Sequence, residues 1–259
     1  MRVFSCSPFM NEFDLLDLKI AEESDVVDEI YIIESNQTLH CNPKPMNLRN
    51  RSEDYEGKVH ICGIESEFNP NDHYNNDTIQ KDSILKFFEY GDADVLLCAD
   101  IDEVFKKEEI PRIVEEAQKH GFVKLRQHLF YYKINLRRSP KKGWKSAFAI
   151  TGKKMKEFKG QIHKLRRTDG PSIETDGKHF SYLMTPELIA YKINNAGHPE
   201  YMKDKFTNIK TIEDKIANQI DPFNRKANGE LIRLEKVAVD ETYPQTILNN
   251  LDYWKKHIA

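Results

Sequence analysis

Asp92-Ala93-Asp94-Val95-Leu96-Leu97-Cys98-Ala99-Asp100-Ile101-Asp102-Glu103 is the stretch whose reading decides the fold. Its middle, Val95 to Ala99, is a short continuous apolar run rich in β-formers, the pattern of a strand buried on both faces. The run then meets three carboxylates within four residues, Asp100, Asp102 and Glu103. A buried strand that ends in clustered acids carries negative charge to the edge where open α/β sheets bind their ligands. Carboxylates so close together repel unless something positive lies between them. A divalent cation holding a phosphate is one solution, so the stretch reads as a D-x-D metal site for a nucleotide-sugar diphosphate. The plain alternative is a solvated acidic turn that opens the next helix, since acids favour helix N-termini.

Working outward toward the N-terminus, Arg2 to Ser5 reads as a strand and Phe13 to Glu23 as an amphipathic helix. Ile30 to Ile33 is a second buried strand, ending at Glu34-Ser35-Asn36. The chain therefore opens β-α-β, the grammar of a parallel sheet with right-handed crossovers. Glu34 and Asn36 at that strand end are candidates to contact a uracil or ribose, although Asn36 also suits a plain turn. The loop from Leu39 to Arg51 brings Lys44, Arg49 and Arg51 near the same edge, facing either phosphate or solvent. Val59 to Gly63 is a third strand. Glu65 to Asn76 is polar and without period. Asp77 to Tyr90 is predicted as a helix stopped by Gly91.

Toward the C-terminus, the pattern predicts a helix over Glu108–His120, a strand over Phe122–Leu125 and a sheet edge over Leu129–Leu136. Trp144 is either a wall against an acceptor sugar or a core residue. Arg166-Arg167 either faces phosphate or, more simply, solvent. Glu174 to Tyr182 reads as a strand carrying His179, a metal ligand, a base or a hydrogen-bonded core histidine. Thr185-Pro186-Glu187 starts a helix, Lys203 to Gln219 forms a charged one, and Pro244 to His257 a terminal one. There is no internal repeat or linker. A single domain over residues 1–259 is expected, with 1–135 as a nucleotide-binding half and 136–259 as an acceptor-side half.

Composition narrows the classes. The chain has 259 residues, 39% hydrophobic and 31% charged, enough for a large core. A net charge of −3 and a pI near 6.3 leave no basic field for nucleic acid. Of the four cysteines, Cys6, Cys41, Cys62 and Cys98, no two form a C-x-x-C pair, and Cys62 and Cys98 read as small core residues. The N-terminal run is interrupted too soon for a signal peptide. No apolar stretch reaches the roughly 18–20 residues of a membrane span. A soluble, reduced, cytoplasmic protein is expected, and the sequons at Asn36 and Asn76 read as chance.

Several of these stretches, in this order, resemble glycosyltransferase family 17, the family of β-1,4-mannosyl-glycoprotein 4-β-N-acetylglucosaminyltransferase. The N-terminal block carries the resemblance most specifically: Asn11-Glu12-Phe13-Asp14-Leu15-Leu16-Asp17-Leu18, Asp25-Val26-Val27-Asp28, Glu34-Ser35-Asn36-Gln37-Thr38 and Pro43-Lys44-Pro45. Asp100-Ile101-Asp102-Glu103 matches the acidic motif. His179-Phe180-Ser181 with Thr185-Pro186-Glu187 and Lys192 matches the glycine-tryptophan-histidine segment, with Lys178 standing where the family has tryptophan.

The resemblance implies a GT-A-like α/β fold with a mostly parallel central sheet flanked by helices. It implies inverting, metal-dependent transfer of a sugar, N-acetylglucosamine by inheritance, from a UDP-sugar to a glycan or glycoconjugate hydroxyl. Mn²⁺ or Mg²⁺ would sit on Asp100 and Asp102, with His179 completing the coordination. Asn11, Glu12, Glu34, Asn36, Lys44 and Asp100 would frame the donor. The general base would be Asp176, Glu174 or Glu103, with Asp176 first. The animal members carry a membrane anchor absent here, so a bacterial, phage or viral relative decorating another glycan fits as well, in the host cytoplasm if viral. Two rivals stand beside this reading: an inactive glycan-binding protein on the same fold, and a nucleotidyltransferase, which also clusters acids at strand ends.

Overall fold

The computed structural model describes residues 1–259 except 56, 66–67 and 140–142; the polar stretch Glu65–Asn76 falls partly outside them. The chain opens with β1 (Val3–Pro8), α1 (Phe13–Glu23), β2 (Glu29–Ser35), β3 (Val59–Ile64) and α2 (His73–Ser83). Then come β4 (Val95–Cys98), β5 (Glu103–Val104), α3 (Ile110–His120), β6 (Phe122–Tyr131), β7 (Leu136–Arg138) and β8 (Phe148–Thr151). Next are α4 (Gly152–Glu157), α5 (Ile162–Leu165), β9 (Ser172–Ser181) and α6 (Pro186–Asn195). The chain continues through α7 (Asp204–Thr207), α8 (Ile209–Ala217), the hairpin of β10 (Lys226–Ala227) and β11 (Glu230–Leu231), β12 (Leu234–Lys236), α9 (Gln245–Asn249) and α10 (Leu251–Trp254).

One sheet has the order β12-β7-β6-β8-β4-β1-β2-β3, with β9 on β6 and β5 on β9. β1 runs parallel to both β2 and β4, and β2 to β3. β6 and β9 are also parallel, whereas β8 is antiparallel to its neighbours β4 and β6. The sheet is thus mostly parallel and flanked by helices, the class expected. Alternation along β4 sends Val95 and Leu97 to one face and Leu96 and Cys98 to the other. The first pair packs with Leu16, Ile113 and Ala117. The second packs with Phe4, Phe148 and Met155. Both faces are apolar because both are covered, and each buried side chain of this size contributes about 2 kcal/mol. Parallel pairing brings the carboxyl ends of β1, β2 and β4 to one edge, and there the acids emerge.

Several predicted helices have different bounds, and polar side chains set them. α2 starts at His73, not Asp77, because Asp72 caps it by accepting the Asn75 N–H at 3.1 Å. It ends at Ser83, followed by one tighter turn to Lys86, while the Gly91 N–H goes to the Asp94 carboxylate at 2.8 Å. Asn208 splits the charged helix by capping α8 through the Thr211 N–H, and Asn250 separates α9 from α10. β6 runs on to Tyr131, well past Leu125.

The cysteines are all free, with Cys6, Cys62 and Cys98 buried. Asn76 is buried too, its amide donating to the Leu39 and Asn69 carbonyls, so its sequon offers nothing to a glycosylating enzyme. No helix among the described residues is long and apolar enough to cross a membrane.

The C-terminal helices close the core over α1. Leu15 and Leu18 pack against Tyr243, Ile247 and Trp254. Asp14 clamps the last residues, accepting from the Tyr253 hydroxyl at 2.7 Å and His257 Nε2 at 2.8 Å, with Lys256 Nζ 2.9 Å away. Partial burial opposes its ionisation, but these partners outweigh it and lower the carboxyl from 3.8 to about 2. A depressed carboxylate contributes stability above its unfolded value and loses it as pH falls through the folded one. Hydrogen-exchange protection of residues 250–259 is therefore expected to fall between about pH 4 and pH 2, ahead of β4. Loss in step with β4 would show that the clamp is not what holds this segment.

Candidate active site

The edge where the acids emerge opens onto a cavity of about 480 Å³. The β1–β2 side supplies Pro8, Phe9, Gln37 and Thr38, and the β6–β9 side supplies Tyr131, His179, Ser181 and Tyr182. Asp100 and Asp102 follow β4, which lies between them in the sheet.

Buried carboxylates persist only when paired, and each acid here has its cation. Arg166 Nη2 lies 2.6 Å from Asp100 Oδ2, and its Nη1 lies 2.9 Å from Glu103. Lys81 is 3.6 Å from Asp100 Oδ1 and 2.7 Å from Asp77, which in turn meets His163 Nδ1 at 2.9 Å. Asp102 Oδ1 is 3.3 Å from His179 Nε2, and its Oδ2 is 3.1 Å from Lys192. Lys192 also reaches Glu12 at 2.9 Å. Acid and base alternate along both runs of contacts. Register explains how His179 arrives: β5 and β9 pair antiparallel with Glu103 opposite His179. Lys192 comes from α6, which starts at Pro186 after the Thr185 cap.

The environments push the acids apart. Burial would raise Asp102, but Lys192 and His179 outweigh it and hold the carboxyl far below the usual range. At Asp100 burial wins over Arg166 and Lys81, and the carboxyl sits above its ordinary value. Burial opposes ionisation of Glu103 as well, yet Arg166 keeps it below the usual range. Lys192 is well above its ordinary value despite burial, because Asp102 and Glu12 face it.

Of the residues expected at the site, Glu12, Lys44, Asp100, Asp102 and His179 line the cavity together. Others do not. Glu34 is wholly buried, its carboxylate taken by Lys44 Nζ at 2.8 Å and by the Asn47 and Leu48 N–H groups at 3.0 and 2.9 Å, so it fixes the loop rather than a nucleotide. Asn36 acts as a turn former, its backbone bonded to Ile64 and Lys44. Asn11 is outside the lining, and its N–H donates to the Glu12 carboxylate.

Glu103 is buried and used up by Arg166, the Trp144 indole N–H and the Asp100 N–H. Glu174 and Asp176 also lie outside the cavity. The register of β9 on β6 shifts between Glu174 and Lys178, so strand alternation does not carry from His179 to either residue. Glu174 pairs with Arg126 in solvent, and the Asp176 N–H donates to Glu109.

Two basic neighbours part company. Arg166, expected in solvent, turns inward to the acids, whereas Arg167 lines the cavity over the Tyr74 ring, 5.3 Å from its centre. Trp144 sits half-buried at the cavity edge, its ring 4.6 Å from that of His179. Lys178 is buried away from the cavity, donating to the Asp176 and Thr242 carbonyls, and burial pushes it down to about 8. Lys81, Asp77, Tyr182 and Phe223 also line the cavity but carried no functional signal in the sequence.

Among the described residues, no group of three or more His, Cys, Asp or Glu side chains is arranged to hold a metal. Asp102 Oδ1 and His179 Nε2 nevertheless offer an oxygen and a nitrogen 3.3 Å apart on the cavity wall, a spacing that suits two donors of one ion. The imidazole favours Mn²⁺ over Mg²⁺, which prefers oxygen throughout.

The sequence profile of glycosyltransferase family 17 matches residues 1–226. Among solved structures the chain is similar to S. aureus TarS 1–349 in complex with UDP-GlcNAc, at 12% identity over 84% of this chain and 72% of that one, with a TM-score of 0.46. It is also similar to mannose-6-phosphate isomerase from Helicobacter pylori, at 14% identity over 64% of this chain and 79% of that one, with a TM-score of 0.39. No curated protein matches.

Proposed function

The chain belongs to glycosyltransferase family 17 and is a transferase, and from that premise we propose that it moves N-acetylglucosamine from a UDP-sugar to a glycan hydroxyl with inversion. The observation that carries the reading is Asp102, held ionised between His179 and Lys192 on the wall of the cavity. Asp102 and His179 would hold a Mn²⁺, which when bound offsets charge on the departing nucleotide diphosphate. Asp100 serves differently, anchoring Arg166 and Lys81 at the cavity floor. Arg167, at the cavity and without a carboxylate partner among the described residues, meets the diphosphate from the side of Tyr74. The side chains are fixed by their ion pairs before substrate arrives, so stabilisation of the developing charge costs little reorganisation. Inversion needs one base, and the proton of the attacking hydroxyl falls to a carboxylate of the cavity wall.

A thermal-shift series with UDP-N-acetylglucosamine, UDP-glucose and UDP-galactose, each with and without Mn²⁺, tests this. A ligand at a hundred times its dissociation constant adds about 2.7 kcal/mol, roughly 5–10 °C for a chain of this size. The expected result is a shift with UDP-N-acetylglucosamine that grows with Mn²⁺. No shift with any donor overturns the reading in favour of a glycan-binding protein. Pyrophosphate release in place of UDP points to a nucleotidyltransferase.

A further inference from the structure

The β6–β9 side of the cavity ends in an aromatic surface that the donor chemistry leaves unused. Tyr131, Tyr182, Tyr201 and Phe223 all line it. Tyr201 and Phe223 stack with ring centres 3.8 Å apart, and Phe223 sets its edge to Tyr182 at 5.9 Å. Lys192 ties this surface to the acids: its ammonium is 3.1 Å from Asp102 and 5.6 Å from the Tyr182 ring centre. The aromatic end therefore begins about one sugar ring from the acid cluster.

Backbone geometry places Tyr182 there at a cost. β6 and β9 end in register, Tyr131 opposite Ser181, and each is followed by a tyrosine in the left-handed region, Tyr132 at φ 66° and Tyr182 at φ 58°. Such conformations are uncommon for large side chains and persist where the surroundings enforce them. Tyr132 turns inward and is buried, while Tyr182 turns to the cavity wall.

Charge on this side is already spent. Arg225 lies over the Phe223 and Tyr131 rings, but its guanidinium is held by the fully buried Asp221 carboxylate through bonds of 3.0, 3.0 and 2.8 Å. Lys192 is shared between Glu12 and Asp102. No free cation faces the aromatic end among these residues, so an anionic polymer gains nothing by docking there. An aromatic wall whose neighbouring cations are already paired suits the C–H face of a pyranose ring.

We propose that Tyr182, backed by Phe223 and Tyr201, stacks against the terminal hexopyranose of a neutral acceptor glycan and turns its hydroxyl toward the acids. This rests on the transferase reading above and names the acceptor class for it. Ser181, on the cavity wall beside Tyr182, lies within the same subsite.

The test uses the intact chain and saturation-transfer NMR with four methyl glycosides: β-glucose, β-galactose, β-N-acetylglucosamine and α-mannose. UDP binding is followed by thermal shift in the same samples. At least one glycoside is expected to bind with saturation strongest on the ring C–H protons. Tyr182→Ala should weaken that binding about tenfold, in keeping with a stacked aromatic contact, while leaving UDP binding and the melting temperature near the wild type. Tyr182→Phe should retain it, and Phe223→Ala should weaken it less. If no glycoside binds while UDP does, or if Tyr182→Ala leaves glycoside binding unchanged, the acceptor proposal is overturned and the donor reading stands. If glycosides bind through Tyr182 but UDP does not bind, the aromatic surface holds and the transferase reading fails.

Discussion

Asp102→Asn is expected to reduce kcat at least about a thousandfold while the protein still folds. The amide keeps the shape of the carboxylate but not its charge. It replaces the anionic oxygen donor beside His179 with a neutral amide and removes the counter-ion that, with Glu12, holds Lys192. Loss of one preorganised electrostatic group commonly costs 10²–10³-fold, and here the same group also serves the metal. Stability should drop only modestly, because Lys192 retains Glu12. The measurement is a steady-state rate with UDP-N-acetylglucosamine beside a melting curve. Activity within tenfold of wild type at an unchanged melting temperature would remove Asp102 from the reacting site.

Arg166→Met is expected to act on the fold first. Its guanidinium serves Asp100 and the fully buried Glu103 at once. Removing one partner of a buried pair leaves an uncompensated charge, at about 3–5 kcal/mol, or roughly 10 °C in melting temperature for a chain of this length. The pH dependence separates this from a simple loss of packing. In the wild type Glu103 is depressed, so its stabilisation is present above the unfolded carboxyl value and is lost as pH falls through the folded one. In the variant Glu103 loses its paired cation and Asp100 keeps only Lys81, so burial raises both acids and favours the neutral form. The melting temperatures of wild type and variant should therefore converge as pH falls from 7 to 5. A constant gap across that range would assign the effect to lost side-chain volume alone.

The sequence carried the sheet and the acids well because both are local. The β-α-β opening and the run Val95–Ala99 show their burial in consecutive residues, and Asp100 and Asp102 follow directly. Which cation pairs with which acid was not legible. Arg166 lies 66 positions from Asp100, and Lys192 lies 90 from Asp102; nothing in either neighbourhood distinguishes a buried lysine from a solvated one. The base candidates Glu174 and Asp176 lie outside the cavity, where β9 shifts its register on β6, an irregularity that no local pattern announces. Helix bounds failed where Asp72, Asn208 and Asn250 offered the backbone other partners. Arg166 and Arg167 were read alike because adjacency hid their opposite directions.

The packing of α9 and α10 on α1 sets an order of events during synthesis. α1 leaves the ribosome long before the residues that cover it, since Leu15 and Leu18 find Tyr243, Ile247 and Trp254 only after more than two hundred further residues have been made. β1 waits as well, for its partner β4 lies some ninety residues on. Until then the nascent chain carries an unshielded apolar helix and an open parallel edge, both targets for chaperones and for self-association. β4 closes the edge, but the C-terminal helices, outside the cavity lining, decide how long α1 stays uncovered.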